Sequence, residues 1–217
     1  MNRTFKTFRI YAGAAVSAAL CVPALALPTP ALAQATSASQ LDEVVAALRA
    51  ISTLQADFVQ TDRSGQSVSG VLTLKRPGRI RFQYQKGVPM LIVGDGKALT
   101  LIDYEVKQVQ RWPIGNSPLG ALLDPRRDVR KFGTIKPTGN PNVISVEVRD
   151  RSHPEYGIIT LIFTRDSAAP GGLELTYWVA LDAQNRRTTV RLSNQRYGMA
   201  VPDSTFRWTD PRPRTRR

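Results

Sequence analysis

The sequence contains one cysteine and one histidine among 217 residues, which leaves few side chains for metal binding or nucleophilic chemistry. The cysteine, Cys21, lies in an N-terminal segment that we predict to be removed from the mature protein. The remaining chain would then have no disulfide bond and no thiol nucleophile. One histidine, with no acidic cluster at ligand spacing, also predicts no metal site and no cofactor.

The single histidine, His153, stands beside a proline in the polar segment 152–155. Counting residues leaves a Ser-His-acid triad open, but the sequence has no nucleophile-elbow motif. The segment 94–97 contains two glycines and a lysine. It lacks the spacing of a phosphate-binding loop and a following helix, and is typical of a hairpin turn. We therefore predict no catalytic residue and expect that the protein is not an enzyme.

Long apolar runs are absent after the N-terminus. Residues 10–27 form the one such run, and it follows Arg3, Lys6 and Arg9. Residues 31–33 have the small-x-small pattern of a signal-peptide cleavage site. We predict that residues 1–33 are a cleaved export signal peptide and that the mature protein lies in the bacterial periplasm.

Two alternatives to a cleaved signal peptide fit the residues less well. An uncleaved membrane anchor is disfavoured because Pro23, Pro28 and Pro30 would interrupt a membrane-spanning helix. Lipid attachment at Cys21 is disfavoured because Leu20 occupies a position where lipoprotein processing requires a small residue.

Acidic residues are scarce, with 17 Asp and Glu against 30 Lys and Arg. Removal of residues 1–33 would leave 184 residues with a formal net charge of +10. Such a charge favours nucleic acid, an anionic membrane surface or an acidic protein as partner, and export argues against nucleic acid. We predict one domain over residues 34–210 and a solvated, disordered basic tail over 211–217. Other basic residues cluster at Arg126, Arg127, Arg130 and Lys131.

The domain begins with a predicted helix. Ser39 and Asp42 have the spacing of a capping box, which would start the helix at Ser39. Apolar residues then recur at helical spacing and give the helix one apolar face, which can cover a sheet. These residues are Leu41, Val44, Val45, Leu48 and Ile51.

After this helix the sequence alternates with the period of β-strands and is interrupted by turn residues such as Gly, Pro and Asp. Short strands with this spacing predict an antiparallel meander and an α+β fold. The ten candidate strands span residues 54–62, 67–75, 79–85, 89–93, 97–103, 106–111, 143–149, 157–165, 172–181 and 186–194.

Two short helices in series are predicted between the two sets of strands. Ser117-Pro118 and Asp124-Pro125 each place a capping side chain before a proline suited to a first helical turn. Leu119, Leu122 and Leu123 would give the first helix an apolar stripe. Because short helices are not stable alone, these must pack on another surface and could act as a movable cover.

The segment 70–84 places one arginine at the end of an apolar row. Side chains alternate along a strand, so Gly70, Leu72, Leu74 and Arg76 share one face. A cation at the rim of an apolar concavity must find hydrogen-bond acceptors or reach water. Ile80, Phe82 and Tyr84 likewise share one face of the next strand. They could line a concavity or fill a core, and both interpretations are open at this point.

Several short motifs in a fixed order are shared with a known family. They are Phe58-x-Gln60, Gly70-x-Leu72-x-Leu74-Lys75-Arg76-Pro77-Gly78-Arg79-Ile80-Arg81-Phe82-x-Tyr84, Asp95-Gly96-Lys97, Asp103-Tyr104, Gln108-Val109 and Gly115-Asn116-Ser117-Pro118. With these motifs the sequence resembles the periplasmic outer-membrane lipoprotein carrier proteins, the LolA family. The resemblance covers most of residues 41–132, whereas the second half matches only as a strand pattern.

The resemblance implies an unclosed, strongly bent antiparallel β-barrel of about 10–11 strands. An N-terminal helix and short lid helices would cover its open side. It implies that a hydrophobic cavity shields the acyl chains of lipoproteins in transit from the inner to the outer membrane. The implied donor is an ATP-driven release complex of the inner membrane, an outer-membrane receptor is a further implied partner, and the carrier is expected to be a monomer.

The resemblance also implies roles for particular residues. The family's lid arginine falls on Arg76, which would hydrogen-bond to the lid and hold the cavity closed, and the lid would span residues 117–123. The expected residues of the cavity and lid are Leu72, Leu74, Ile80, Phe82, Tyr84, Leu119, Leu122 and Leu123.

The sequence departs from the family at two of these positions. Ile80 replaces a usual aromatic residue and Phe82 replaces a frequent Trp, which is consistent with altered cargo or partner contacts. Two other functions are compatible with such a half-barrel. One is a regulatory sensor of lipid or misassembled envelope proteins, and the other is a carrier of free lipid.

Overall fold

A computed structural model describes residues 30–114, 117–124, 127 and 129–213 of the chain, with side chains from Thr36 onward. The greater part of the predicted signal peptide and residues 214–217 of the predicted tail lie outside these described residues. Within the described part of the chain, no helix has both the length and the apolar character needed to cross a membrane.

The described residues form one antiparallel sheet of eleven strands. Their order across the sheet is β6-β5-β4-β3-β2-β1-β11-β10-β9-β8-β7, and the sheet is not closed because the edge strands β6 and β7 do not pair with each other. The strands are β1 Thr53–Thr61, β2 Ser67–Lys75, β3 Arg79–Tyr84, β4 Met90–Asp95, β5 Ala98–Asp103, β6 Gln108–Pro113, β7 Gly133–Lys136, β8 Val143–Arg149, β9 Ile158–Arg165, β10 Leu173–Leu181 and β11 Arg187–Tyr197.

This architecture confirms the predicted unclosed antiparallel sheet with a leading helix and a short covering helix. Ten strands match the predicted ones with boundaries shifted by a few residues. The eleventh, β7, was not predicted. It is only four residues long and carries two half-buried and two exposed side chains, so its alternation gives a weak signal.

Each strand places alternate side chains on an inner face, toward the helices, and on an outer face. The alternation is clear in β3 and β5, where buried and less buried residues follow one another. Register shifts interrupt the pairing of β1 with β11 after Gln55 and of β10 with β9 after Leu175. Such shifts increase local bending and twist, which helps an open sheet wrap around its core.

The first helix, α1, spans Pro30–Ala50. The prediction that it begins at Ser39 is wrong, because Ser39 lies inside a continuous helix. The alanine-rich segment that precedes Ser39 has high helix propensity and extends the helix toward the N-terminus. The C-terminal half buries Val44, Val45 and Leu48 against the inner face of the sheet. The predicted cleavage site after Ala33 falls within α1 and stays a prediction.

The second helix, α2, spans Pro118–Leu123, as the first of the two predicted short helices. The predicted start of the other helix, at Asp124-Pro125, lies partly outside the described residues, since Pro125, Arg126 and Asp128 are not described. The described 3-10 turn that follows α2 begins later, at Val129, and ends at Lys131.

Among the described residues, two apolar clusters form on opposite faces of the sheet. The larger one lies between the inner face and the helices α1 and α2. The smaller one lies on the outer face, where Leu91, Val93 and Ile102 contact Phe206 and Trp208. The latter two residues belong to the segment 198–210, which follows β11 and which we call the strap.

Candidate functional site

The turn between β2 and β3, residues 76–78, contacts the C-terminal end of α2. The guanidinium Nη1 of Arg76 donates a hydrogen bond to the carbonyl oxygen of Leu122. The backbone N–H of Gly78 donates to the carbonyl oxygen of Leu123 at 2.9 Å. A helix leaves its last carbonyl groups without intrahelical partners, so these two donors satisfy acceptors that α2 itself cannot. We call residues 76–78 the corner and α2 the lid.

The guanidinium of Arg76 is held in a partly buried environment. Burial lowers the pKa of Arg76 to about 10, and the nearby charge of Asp124 acts in the opposite direction. The Nε atom is buried and has no hydrogen-bond partner. A buried donor without a partner carries a desolvation cost, so the contact between Arg76 and the lid is only moderately favourable.

Gly78 is suited to the corner for two reasons. Its φ of 75° lies in the left-handed region, which favours glycine. A Cβ atom at this position would lie 2.4 Å from the Cα of Gly96, which belongs to the adjacent turn between β4 and β5. Any side chain here would therefore push the two turns apart and move the Gly78 amide away from the lid.

The lid is a helix of six residues with a capped N-terminus. The Ser117 hydroxyl oxygen accepts a hydrogen bond from the Gly120 amide at 3.2 Å, and the same hydroxyl donates to the carbonyl oxygen of Ile114 at 2.9 Å. Pro118 occupies the first turn, as its fixed φ permits. The cap fixes where the lid begins, and the corner fixes where it ends.

The structure brings together all eight residues that were expected to line the cavity and lid. Seven of these side chains are at most 9% exposed to solvent, and the eighth, Leu119, is partly buried against the same cluster. The pairs Leu72–Phe82 and Leu74–Ile80 lie directly opposite each other on β2 and β3. Because these side chains pack against one another, the space beneath the lid is occupied by the protein's own apolar residues in this conformation.

Four aromatic rings form the centre of this cluster. The Phe58 ring lies 5.3 Å from the rings of Phe82 and Tyr84, and the Phe82 ring lies 5.5 Å from that of Trp178, all in edge-to-face geometry. The Tyr84 hydroxyl donates to Gln60 Oε1 at 2.9 Å, and burial raises the pKa of Tyr84 to about 12. The cluster therefore contains one internal polar pair.

Phe58, Gln60 and Trp178 were not among the predicted site residues. Phe58 and Gln60 share a strand face, so strand alternation in β1 could have placed both on the inner side. Trp178 lies on β10, far along the chain, and no local pattern connects it to Phe82.

The outer side of the corner binds the strap. Asp203 accepts hydrogen bonds from Lys75 Nζ at 2.7 Å and from Arg79. Hydrogen bonds from Arg79 and then Lys75 lower the pKa of the Asp203 carboxyl to about 2. Arg81 Nη1 donates to the carbonyl oxygens of Thr205 at 3.1 Å and Arg207 at 3.0 Å. These outward-facing residues of β2 and β3 therefore fasten the strap.

The remaining candidate residues lie away from the lid. His153 is exposed, stacks on Tyr156 and contacts Glu155 Oε1 through Nδ1 at 2.9 Å. Among the described residues, no group of three or more His, Cys, Asp or Glu side chains could hold a metal ion.

The predicted basic cluster is partly neutralised. Arg130 pairs with Asp42 at 2.6 Å, and Arg127 lies 3.7 Å from Asp124. Arg126 lies outside the described residues, as do Arg214, Arg216 and Arg217 of the tail. The described tail residue Arg212 pairs with Asp210 at 2.6 Å.

Residues 49–209 match the family described as outer membrane lipoprotein carrier protein LolA. An outer-membrane lipoprotein carrier protein from Dechloromonas aromatica is 30% identical over 191 residues, covering 84% of this chain and 88% of that protein. One from Chromobacterium violaceum is 29% identical over 217 residues, covering 94% of each chain. The crystal structure of a LolA superfamily protein from Nitrosomonas europaea aligns with a TM-score of 0.46 at 11% identity, covering 79% of this chain and 97% of that one.

Proposed function

The chain belongs to the family of outer membrane lipoprotein carrier proteins, and from this premise we propose that it carries acylated lipoproteins across the periplasm. The direction is from the inner to the outer membrane. The acyl chains occupy the space between the sheet and the lid. The observation that carries the proposal is an apolar cluster beneath a short helix that is attached by few polar contacts.

The lid is the part of the structure best suited to move. A helix of six residues is not stable by itself, so it folds only while it is packed and capped. Its apolar contacts are Leu119, Leu122 and Leu123, and its polar contacts to the corner come from Arg76 and Gly78. Replacing the leucine contacts with acyl-chain contacts keeps the inner face covered by apolar atoms.

Acyl chains carry a large hydrophobic cost in water, and this cost determines what the donor must supply. Each buried methylene contributes about 0.8 kcal/mol, so three long chains in water represent a cost on the order of tens of kcal/mol. A protein of this size covers only part of that surface. Extraction from the membrane then requires an external source of energy, which makes an ATP-driven release complex in the inner membrane the donor.

Arg76 sets the balance between the closed and the loaded carrier. In the closed form its guanidinium has a carbonyl acceptor on the lid. An acyl chain offers no acceptor, so loading sacrifices this hydrogen bond. The carrier consequently binds its cargo less tightly than an entirely apolar cavity would, which permits delivery to the outer membrane or to a receptor there.

Native mass spectrometry of protein isolated from its own periplasm tests the proposal. An acylated polypeptide bound to a single copy of the chain supports the carrier function. Bound free lipid would instead identify a lipid carrier, and a stable complex with a regulatory protein would identify a sensor. Recovery of ligand-free protein alone, under conditions in which lipoprotein export is blocked downstream, would contradict the carrier function.

A further inference from the structure

The strap crosses the outer face of the sheet and is fastened to several strands in turn. Thr53 Oγ1 on β1 donates to the carbonyl oxygen of Met199 at 2.9 Å. Lys75 Nζ on β2 donates to the carbonyl oxygen of Val201 at 2.7 Å. Beyond the corner, Phe206 and Trp208 cover the smaller apolar cluster. The strap is therefore a built part of the fold, and its course takes it directly past the corner.

Asp203 connects the two strands that meet at the corner. Lys75 and Arg79 are paired directly opposite each other, as the last residue of β2 and the first of β3. Both contact the same carboxylate oxygen of Asp203. One carboxylate on the outer side thus bridges both ends of the turn whose inner side, through Arg76 and Gly78, holds the lid.

The Asp203 carboxylate offsets repulsion between the positive charges at the corner. Lys75, Arg76 and Arg79 place three cations within five residues of sequence. Like charges directly opposite each other across a strand pair are destabilising. Within the described parts of the chain, Asp203 is the one carboxylate in ion-pair distance of Lys75 or Arg79. Without it, the two facing cations repel each other and favour a more open turn.

We propose that Asp203 is a positioning residue for the lid. It holds the corner in the conformation in which Arg76 and Gly78 reach the last carbonyl groups of α2, so the strap determines how readily the lid opens. The inference rests on the proposed function in one respect, namely that lid opening is the step that admits acyl chains. Asp203 itself acts from the outer side of the corner, where its ion pairs are with Lys75 and Arg79.

The expected consequence is a change in the fraction of open carrier. Apparent affinity falls in proportion to the fraction of molecules that can bind, so a change that favours opening tightens binding by the same factor. Loss of a solvent-exposed ion pair has a modest effect, and we expect roughly two- to five-fold tighter binding in Asp203→Asn. The same factor should appear as faster hydrogen exchange of the Gly78 amide, which the Leu123 carbonyl oxygen protects in the closed form.

The experiment uses protein expressed from the complete sequence and two readouts. One is the Kd for a fluorescent long-chain fatty acid, and the other is hydrogen exchange of peptides that contain Gly78. Asp210→Asn is the matched control. It removes the same charge from the same segment, but the ion pair it breaks is with Arg212 and not with the corner. Arg79→Gln serves as a second variant if Asp203→Asn does not fold, because it removes one side of the bridge and keeps the hydrogen bond from Lys75 Nζ to the Val201 carbonyl oxygen.

A double-mutant comparison separates positioning from a general structural role. Because Asp203 positions both Arg76 and Gly78, Asp203→Asn should change the Kd less in Arg76→Leu, where only the Gly78 contact with the lid remains, than in the wild-type background. Equal effects of Asp203→Asn and Asp210→Asn on both readouts, or additive effects with Arg76→Leu, would overturn the inference. If Arg76→Leu leaves the Kd unchanged, the role of Arg76 in holding the lid closed fails, whereas the carrier function itself is decided by the native mass spectrometry described above. The Gly78 exchange rate then still decides whether Asp203 positions the corner.

Discussion

Replacement of Arg76 by leucine should convert the carrier into one that binds acyl chains more tightly and releases them more slowly. The substitution removes the hydrogen bond from the guanidinium to the Leu122 carbonyl oxygen. It also extends the apolar row of Leu72 and Leu74 by one residue on the inner face of β2. The closed form loses a polar tether, while the loaded form gains an apolar contact.

The magnitude follows from the surroundings of the guanidinium. A hydrogen bond that involves a charged group contributes about 1.5–3 kcal/mol. Burial lowers the pKa of Arg76 to about 10, and its Nε has no partner, so the lower end of this range applies. About 1.5 kcal/mol corresponds to roughly a tenfold change in an equilibrium constant. We therefore expect about tenfold tighter binding of an acylated ligand.

The assay measures the Kd of a fluorescent triacylated peptide and its rate of transfer to lipid vesicles. Arg191→Leu is the control. It removes the same charge as Arg76→Leu, but from an exposed side chain on the outer face of β11. Arg76→Lys should lie between wild type and leucine, since it keeps a charge but loses the planar fork. A Kd and transfer rate within twofold of the Arg191→Leu values would refute the role of Arg76 as a latch.

Three further predictions concern the lid, the corner and the strap. Ser117→Ala removes the cap of α2, a loss of about 1 kcal/mol, and should accelerate hydrogen exchange of the lid amides about fivefold while the sheet amides stay unchanged. Gly78→Ala should lower the free energy of unfolding in urea by about 2 kcal/mol or more. Its Cβ meets the Gly96 backbone and its φ is positive, and an unchanged midpoint would contradict this account. Hydrogen bonds from Arg79 and Lys75 lower the pKa of Asp203 from 3.8 to about 2. The carboxylate therefore contributes fully to strap docking above pH ~4, and this contribution is lost as the pH falls toward ~2. In a variant with Trp208 as its sole tryptophan, emission should shift to the red over this window. The same variant carrying Asp203→Asn should show a smaller transition, which comes from the other titrating strap residue, Asp210, whose pKa is also lowered to about 2.

Much of the fold could be predicted from local patterns. Strand alternation and turn residues gave ten of the eleven strands, because a strand with one buried face must repeat every second residue. The short edge strand β7 was missed because four residues provide too few repeats to recognise. The predicted start of α1 at Ser39 is wrong because a capping pattern does not end a helix that the alanine-rich segment before it continues.

The candidate site was predictable in part. Strand alternation alone places Arg76 at the end of the row formed by Leu72 and Leu74, and the proline of Ser117-Pro118 marks the start of the lid. Neither pattern gives the partner of Arg76 or the contact of Trp178 with the Phe82 ring. The proposed role of Asp203 has no signal in the sequence, where it is one of 17 acidic residues and follows a proline, as Glu155 also does.

Local sequence patterns set the period of each segment, the faces of the strands and the position of one arginine beside an apolar row, because all three depend on neighbours within a few residues. Tertiary packing sets which carbonyl group that arginine binds, and it places a carboxylate more than a hundred residues away in contact with both strands that meet at the corner. Such contacts arise only when an open sheet brings distant segments together. Their energies depend on burial and distance in space, which a linear pattern does not contain.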